Sequence, residues 1–314
     1  MSDNPLERFL LRQGVIVLDG GLATALEARG CDLDDELWSA RVLIEDPGLL
    51  RQVHRAFLES GADCIASASY QATLSGLRGH GLSEDEAEAA LRLSTQLAVE
   101  ARDVFWSRPA NRSGRLEPLV VASIGPYGAA LADGSEFTGD YGVTEEALYE
   151  FHRRRWHLLA ETGADLLACE TVPSAQEADV LLRLLGETPG RWAWLSFSCR
   201  DGAHISDGTP LDRVVRACDA EPRVAAVGIN CTAPEWIGSL IEVARGATDK
   251  PVLVYPNAGE RWDGSARRWV DDRPKIDWGD AAVRWTRAGA AGVGGCCRVG
   301  PEDISLMRRA VLAC

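Results

Sequence analysis

A short junction occurs twice in the sequence, as Glu59-Ser60-Gly61-Ala62-Asp63-Cys64-Ile65 and again as Glu161-Thr162-Gly163-Ala164-Asp165-Leu166-Leu167. A weaker third copy covers residues 287–293. Each copy predicts the end of a helix, then a glycine, then a buried strand, because glycine is favoured just after the last turn of a helix. The chain therefore repeats a unit in which a helix leads into a strand.

Eight apolar stretches of strand length extend this pattern along the 314 residues. They are rich in apolar and β-branched residues, which is typical of strands buried on both faces of a parallel sheet. The predicted strands are Val15–Asp19, Cys64–Ser69, Leu119–Ile124, Leu166–Glu170, Trp192–Ser198, Ala225–Cys231, Pro251–Pro256 and Ala290–Cys297. Eight strands alternating with helices predict a (β/α)₈ TIM barrel, with a doubly wound open sheet as the alternative.

Helices are expected between these strands. Thr144 is predicted to begin the helix Thr144–Thr162, which Gly163 would end, and Gly61 would end the helix Val42–Ser60. The other predicted helices are Ser83–Trp106, Ser174–Leu185 and Ile304–Leu312. Residues 263–274 are expected to form a charged, mobile loop. No Pro/Ser-rich linker divides the chain, so residues 1–314 are predicted to form one α/β domain.

The composition argues against several classes of protein. A formal net charge of −14 argues against a nucleic acid or an anionic membrane as the main partner. No apolar run reaches the ~18 residues that predict a membrane span, and the N-terminus does not resemble a signal peptide. The nine cysteines, an odd number, suit a reducing cytosol better than a disulfide framework. We therefore expect a cytoplasmic protein.

Polar residues and cysteines follow several of the predicted strands. In a barrel the carboxyl ends of the strands meet at one rim, where function concentrates. Asp19 with Gly20 and Gly21 follows the first strand, and Glu170 follows the fourth. A buried carboxylate at such a position is costly unless it is paired. The glycine pair is either a plain tight turn or a place where backbone amides approach a ligand.

Cys296 and Cys297 are adjacent at the end of the eighth strand. The residues alone leave three interpretations open: a glycine-rich turn with two small side chains, a redox dithiol, or a thiolate metal site. The metal site needs more sulfur, and Cys231 at the end of the sixth strand supplies it if the two strand ends lie close together. Three thiolates suit Zn²⁺ and leave its fourth position open.

The sequence resembles the homocysteine S-methyltransferases, zinc-thiolate barrels that make methionine. The similarity extends from about residue 14 to about residue 312. The segments that carry it are Leu18–Thr24, Ser67–Thr73, Ser123–Gly128, Leu131–Glu136, Glu170–Pro173, Gly228–Thr232, Tyr255–Glu260 and Gly294–Arg298. The most specific feature is the Gly-Gly-Cys-Cys pair with a distant Gly-x-Asn-Cys. Val299-Gly300 departs from the two threonines that compact members usually have.

The resemblance implies a methyltransferase in which Cys231, Cys296 and Cys297 hold Zn²⁺ at the carboxyl ends of the strands. Homocysteine sulfur would occupy the fourth position and become the nucleophilic thiolate. The residues that the resemblance implies for binding homocysteine are Asp19 and Glu170 for its ammonium, Gly20 and Gly21 for its carboxylate, and Asn230 in the same site.

The methyl donor is predicted less directly. The sequence looks most like compact members that use a sulfonium, and it contains no recognisable cobalamin or folate module. It also lacks a nucleotide-binding motif, which favours S-methylmethionine over S-adenosylmethionine. The loop Asp133–Tyr141 mixes acids with aromatics, as a cation site would. Candidate donor-binding or near-metal residues are Gln71, Tyr127, Asp133 and Glu136, with Asn257 and Glu260 as weaker ones. The alternatives are betaine as donor, selenocysteine as acceptor, or a non-catalytic zinc and thiol redox sensor.

Overall fold

The structure, a computed structural model, describes residues 4–33, 39–131, 133–259, 261–263, 268–270 and 276–313. Its strands are β1 (Ile16–Val17), β2 (Cys64–Ala66), β3 (Leu119–Ile124), β4 (Leu166–Val172), β5 (Ala193–Phe197), β6 (Val224–Asn230), β7 (Val252–Tyr255), β8 (Arg261–Asp263), β9 (Arg268–Val270) and β10 (Gly292–Val293). Eight of them pair in parallel in the order β1-β10-β7-β6-β5-β4-β3-β2. Strands β8 and β9 form a separate antiparallel pair.

The sheet closes between its first and last strands, β1 and β2. Leu18 pairs in parallel with Cys64. The backbone N–H of Asp63 donates to the carbonyl of Val17 at 2.7 Å, and that of Asp19 donates to the carbonyl of Cys64 at 3.0 Å. These bonds confirm the predicted barrel and exclude the open doubly wound sheet.

Helices alternate with the strands along the chain. They are α1 (Glu7–Gln13), α2 (Leu22–Glu27), α3 (Ser39–Glu45), α4 (Pro47–Ser60), α5 (Leu74–Gly79), α6 (Glu84–Trp106), α7 (Tyr127–Leu131), α8 (Glu145–Ala160), α9 (Ala175–Gly186), α10 (Leu211–Ala220), α11 (Ile237–Arg245), α12 (Trp278–Ala288) and α13 (Pro301–Leu312). Short 3₁₀ turns cover Pro109–Arg112, Ser135–Phe137 and Pro234–Trp236. None of the described helices combines the length and apolar character that crossing a membrane requires.

The capping residues account for most helix boundaries. The hydroxyls of Ser83, Thr144 and Ser174 each accept a hydrogen bond from a backbone N–H in the first turn of α6, α8 and α9. Gly61 ends α4 in the left-handed conformation, with φ of 109°. A helix ends where its last carbonyls find such a partner, so these boundaries could be predicted locally.

Three local predictions are wrong. Val42–Ser60 is not one helix, because Pro47 lacks an N–H and Asp46 caps the N-terminus of a new helix, α4. Gly163 does not end α8, which stops at Ala160 with Glu161 still right-handed. Within residues 263–274, expected to be a loop, 268–270 form a strand; residues 264–267 and 271–274 lie outside the described residues.

Two layers of apolar side chains surround the sheet. The inner layer fills the barrel with residues such as Ile16, Leu119, Val121 and Leu253. The outer layer packs the helices against the strands, with Phe57, Leu91 and Trp156 fully buried in it. Above this packed interior, space for a ligand lies at the carboxyl ends of the strands.

Candidate active site

A cavity of about 160 Å³ lies at the carboxyl ends of strands β1, β2, β3, β4, β6, β7 and β10. Its lining also includes the 3₁₀ turn that carries Glu136 and Phe137. The described residues that line it are Asp19, Gly20, Gly21, Leu22, Ala23, Thr24, Ala66, Ser67, Ala68, Tyr70, Gln71, Ser123, Glu136, Phe137, Glu170, Thr171, Asn230, Cys231, Tyr255, Gly295, Cys296 and Cys297.

Three cysteine sulfurs meet on one wall of this cavity. The Sγ atoms of Cys231, Cys296 and Cys297 all lie within 4.8 Å of one another, and the 231 and 297 sulfurs are 3.8 Å apart. Within the described part of the chain, no other group of three or more His, Cys, Asp or Glu side chains is gathered closely enough to hold a metal ion. Thiolates are soft ligands, so the cluster suits a thiophilic metal.

Interactions within the cluster give the three thiols different pKa values. Interaction with the thiols of Cys231 and Cys296 lowers the pKa of Cys297 well below its ordinary value. The pKa of Cys231 is raised because of its hydrogen bonds to Cys296 and Cys297 and because of burial. One thiolate is therefore favoured before any metal adds its own charge.

The backbone is strained beside the cysteines. Three non-glycine residues have positive φ in the described chain: Thr171 at 60°, Cys231 at 47° and Arg298 at 68°. Each lies at the cavity or next to a residue that lines it. Such conformations cost on the order of 1–3 kcal/mol each and concentrate at functional sites. The geometry of this rim is therefore maintained at the expense of local stability.

Asp19 and Glu170 lie on the cavity floor. Asp19 accepts the backbone N–H of Ala66 at 2.8 Å, and Glu170 accepts the hydroxyl of Ser123. Burial raises the pKa of Glu170 to about 7, against the hydrogen bond from Ser123 that lowers it. Burial and the charge of Glu170 together raise the pKa of Asp19 well above its usual range.

The described lining offers these two carboxyls no cation. It includes no lysine, arginine or histidine. Burying a carboxylate without a cationic partner costs several kcal/mol, and a positively charged ligand group would relieve that cost. The floor of the cavity is therefore suited to an ammonium.

Gly20 and Gly21 allow the end of β1 to approach the loop that carries the cysteine pair. A Cβ on Gly20 would lie 2.4 Å from the carbonyl oxygen of Val299, and one on Gly21 would lie 2.6 Å from that of Cys296. The N–H of Gly21 already donates to the Val299 carbonyl at 2.9 Å. The expected use of the Gly21 amide for a substrate carboxylate is therefore not supported, because a neighbouring backbone group occupies it.

Asn230 touches the cavity, but its amide group is engaged by the protein. Its Oδ1 accepts the backbone N–H of Thr171 at 2.8 Å, and its Nδ2 donates to the Thr171 hydroxyl at 2.8 Å. The residue is 1% exposed. Asn230 thus holds the left-handed Thr171 in place, whereas the sequence analysis assigned it to substrate binding.

The predicted donor residues divide into two groups. Gln71 and Glu136 line the cavity, and burial raises the pKa of Glu136 to about 7. The lining does not include Tyr127, Asp133 or Asn257. Each of these three has a partner of its own in the protein. Tyr127 packs edge-on against Tyr141 and Phe151, Asp133 accepts the N–H of Ser135 at 2.9 Å, and Asn257 accepts that of Gly259 at 3.0 Å. Glu260 lies outside the described residues.

Two polar residues on the cavity floor were missed by the sequence analysis. Ser123 donates to Glu170, and the hydroxyl of Tyr255 donates to Ser196 at 2.5 Å and accepts from Trp194 at 3.1 Å. Ser123 and Tyr255 stand within or at the end of apolar strands, where their pattern suggests only burial. The available signal was their position: inward-facing polar groups near the carboxyl ends of barrel strands usually serve the site.

Comparison with known proteins agrees with this arrangement. The family model described as homocysteine S-methyltransferase matches residues 16–311. The homocysteine S-methyltransferase YbgG of Bacillus subtilis is 50% identical over 96% of each chain, and homocysteine S-methyltransferase 4 of Zea mays is 48% identical over 95% of this chain and 90% of its own. The crystal structure of Escherichia coli homocysteine methyltransferase MmuM in its metallated form matches with a TM-score of 0.87, at 44% identity, over 98% of this chain and 99% of that one. The chain therefore belongs to the homocysteine S-methyltransferase family of methyltransferases.

Proposed function

We propose that this protein transfers a methyl group from a sulfonium donor to the thiolate of homocysteine, giving methionine, with Zn²⁺ as its cofactor. One observation carries the proposal: a single cavity is lined by a cluster of three cysteine sulfurs and by two half-buried carboxyls that have no cation in the described lining. Homocysteine has a thiol for the first group and an ammonium for the second.

The cysteine cluster fits a zinc ion by its chemistry. Cys231, Cys296 and Cys297 would hold the metal, and all three sulfurs face a cavity large enough for a further ligand. A zinc ion held there would lower the pKa of a substrate thiol, so that the thiolate would be present at neutral pH. The site needs reduced cysteines, and the eight described ones form no disulfide. We place the protein in the cytoplasm on this ground.

Asp19 and Glu170 would bind the ammonium of homocysteine. A cation between them would offset the burial that raises both pKa values and would favour their ionised forms. The hydrogen bond from Ser123 orients Glu170, so its carboxylate is positioned before the substrate arrives. Residues 1–314 would perform these steps as a single domain.

The donor would enter beside Glu136, Phe137 and Tyr70. A sulfonium is positively charged, and the carboxylate of Glu136 together with the two aromatic rings forms a suitable cation environment. The homocysteine thiolate attacks the methyl carbon in line, the new S–C bond forms as the donor C–S bond breaks, and a neutral thioether leaves. Opposite charges cancel in this step, so a cavity that excludes water favours it. Of the sulfoniums, we propose S-methylmethionine in preference to S-adenosylmethionine.

A donor panel tests the proposal. Zinc-loaded protein is incubated with homocysteine and S-methylmethionine, S-adenosylmethionine, betaine or methyltetrahydrofolate, and methionine is measured by mass spectrometry. We expect methionine with the sulfoniums alone, and faster formation with S-methylmethionine. Faster formation with S-adenosylmethionine would overturn the choice of sulfonium, and formation with betaine alone would overturn the sulfonium proposal. A second panel with selenocysteine as acceptor distinguishes the thiol from the selenol.

A further inference from the structure

A buried polar network lies outside the barrel, away from the cavity. Glu177 on α9 is fully buried and accepts three hydrogen bonds: from the backbone N–H of Tyr127 at 2.6 Å, from the hydroxyl of Tyr141 at 3.0 Å and from Nε2 of His152 at 2.8 Å. His152 on α8 is also fully buried, and its Nδ1 has no hydrogen-bond partner among the described residues. A neutral imidazole that donates from Nε2 fits this arrangement.

Glu177 thereby holds both ends of one chain segment. The segment begins at Tyr127, ends at Tyr141 and carries Glu136 and Phe137, the two of its residues that line the cavity. We call it the 127–141 segment; Ala132 within it lies outside the described residues. Fixing both ends of a loop removes much of the conformational freedom of the residues between them.

The 127–141 segment also packs on itself. A Cβ on Gly128 would lie 2.4 Å from the backbone nitrogen of Glu136, so the start of the segment touches its middle. The rings of Tyr127 and Tyr141 meet edge-on with their centroids 5.3 Å apart, so the two ends of the segment also touch each other. A shift at either anchored end would therefore displace Glu136 relative to the cavity.

We propose that Glu177 is a positioning residue for the methyl donor, which acts by fixing the 127–141 segment and so the place of Glu136 and Phe137 at the cavity. The inference rests on the proposed function, because it takes the donor to bind beside Glu136. It assigns a reason to the buried Glu177 and His152, which the chemistry at the cysteine cluster does not use. It also explains why Tyr127 is remote from the cavity: its backbone serves as an anchor.

Glu177→Gln tests the inference in the full-length, zinc-loaded protein. The variant keeps the side-chain shape but weakens the hydrogen bonds from Tyr141 and His152. We expect the KM for S-methylmethionine to rise about tenfold, with the KM for homocysteine and the zinc content unchanged. Hydrogen exchange of the amides of residues 133–141 should accelerate by a similar factor, while exchange in strand β3 stays as in the parent. Loss of stability alone would lower kcat and leave both KM values unchanged.

Two further variants keep the test decisive. Tyr141→Phe removes one hydrogen bond from the same anchor and should raise the donor KM about threefold even if Glu177→Gln folds poorly. Glu187→Gln is the matched control, because Glu187 accepts a tyrosine hydroxyl, that of Tyr149, at 2.7 Å just beyond the same helix. An unchanged donor KM and unchanged exchange in Glu177→Gln and Tyr141→Phe, or an equal rise in both KM values, would overturn the inference. If hydrogen exchange of residues 133–141 accelerates in Glu177→Gln but the parent protein uses no sulfonium donor, the proposed function is refuted. In that case Glu177 still fixes the 127–141 segment.

Discussion

Asp19 and Asp63 stand at opposite ends of the seam between β1 and β2. Asp63 accepts the backbone N–H of Val17 at 3.1 Å, and Asp19 accepts that of Ala66 at 2.8 Å, so each carboxylate bonds the neighbouring strand. Asp63 also has its own cations, since Arg308 lies 2.7 Å and Arg115 3.9 Å from its Oδ1. Asp19 has no cation in the described cavity lining, and the negative charge of Glu170 raises its pKa further.

The same contrast recurs on β4. Asp165, just before the strand, accepts the N–H of Val120 at 2.8 Å and pairs with Arg102 at 3.2 Å. Glu170, near the end of the strand, accepts the neutral hydroxyl of Ser123 and has no cation in the described cavity lining. At the amino ends of the strands the protein supplies the counter-charge for these acids, whereas at the carboxyl ends it leaves that role to a ligand. The first arrangement serves stability, and the second serves binding at a cost in stability.

The largest effect is expected from removing one cysteine sulfur at the carboxyl ends of the strands. Cys296→Ser should lose most of its zinc and lower kcat/KM on the order of 10³-fold or more, because two thiolates do not hold the ion as three do. Metal analysis of the purified protein and steady-state kinetics measure this. Cys31→Ser, outside the cluster, is the control and should retain both. Full zinc occupancy and full activity in Cys296→Ser would remove the basis of the site.

At the other end of the seam, Asp63→Asn should destabilise the protein without changing substrate affinity. Arg308 and Arg115 would lose their charged partner in a buried position, which costs about 3–5 kcal/mol. Urea unfolding gives the free energy, and the homocysteine KM should equal that of the parent. A cost below about 1 kcal/mol would show that this carboxylate does not secure the base of the barrel.

Glu170→Gln should act in the opposite way, on affinity. Losing the charge-assisted bond to a buried ammonium costs about 2–4 kcal/mol, so the homocysteine KM should rise about 30- to 1000-fold while zinc content stays unchanged. Kinetics at saturating donor measure the change. If homocysteine kinetics were unaltered, Glu170 would have no part in binding the ammonium.

A smaller effect should appear in the pH dependence of the same pair of proteins. Only the ionised carboxylate attracts an ammonium, and the pKa of Glu170 lies near 7 in the absence of substrate. The ratio of kcat/KM for homocysteine between parent and Glu170→Gln should therefore fall up to about tenfold for each pH unit below about 7 and level off above it. Taking the ratio cancels the ionisation of the substrate. A ratio that stays constant with pH would argue against this carboxylate as the titrating group.

The sequence predicted the parts of the molecule that depend on local pattern. The eight barrel strands, the cap Thr144 and the convergence of three cysteines all follow from residue type and position along repeated units. Side-chain engagement across the barrel could not be predicted in this way. Asn230 and Thr171 are 59 residues apart and meet only because β4 and β6 end at the same rim, so nothing local shows that the amide of Asn230 is occupied.

The same limit explains the donor residues. Tyr127, Asp133 and Glu136 follow one strand and look equivalent in the sequence, yet only Glu136 lines the cavity. The difference depends on Glu177, 50 residues beyond Tyr127, which draws the backbone of Tyr127 toward α9. The counter-charge of a buried acid is equally non-local. The cation that pairs with Asp63 is Arg308, 245 residues away. The described lining offers Asp19 no cation.

The central claim is that the cavity acids are left without a counter-charge in the absence of substrate, and unfolding free energies of the substrate-free protein test it most directly. The measurement compares parent and Glu170→Gln by urea unfolding at a series of pH values. Because burial raises the folded-state pKa of Glu170 from 4.5 to about 7, its ionisation opposes folding. The account predicts that Glu170→Gln becomes the more stable protein as pH rises from about 4.5 to about 7, by on the order of 1–3 kcal/mol, with the advantage constant above that range. A Glu170→Gln protein that is less stable than the parent at every pH, as Asp63→Asn should be, would contradict it.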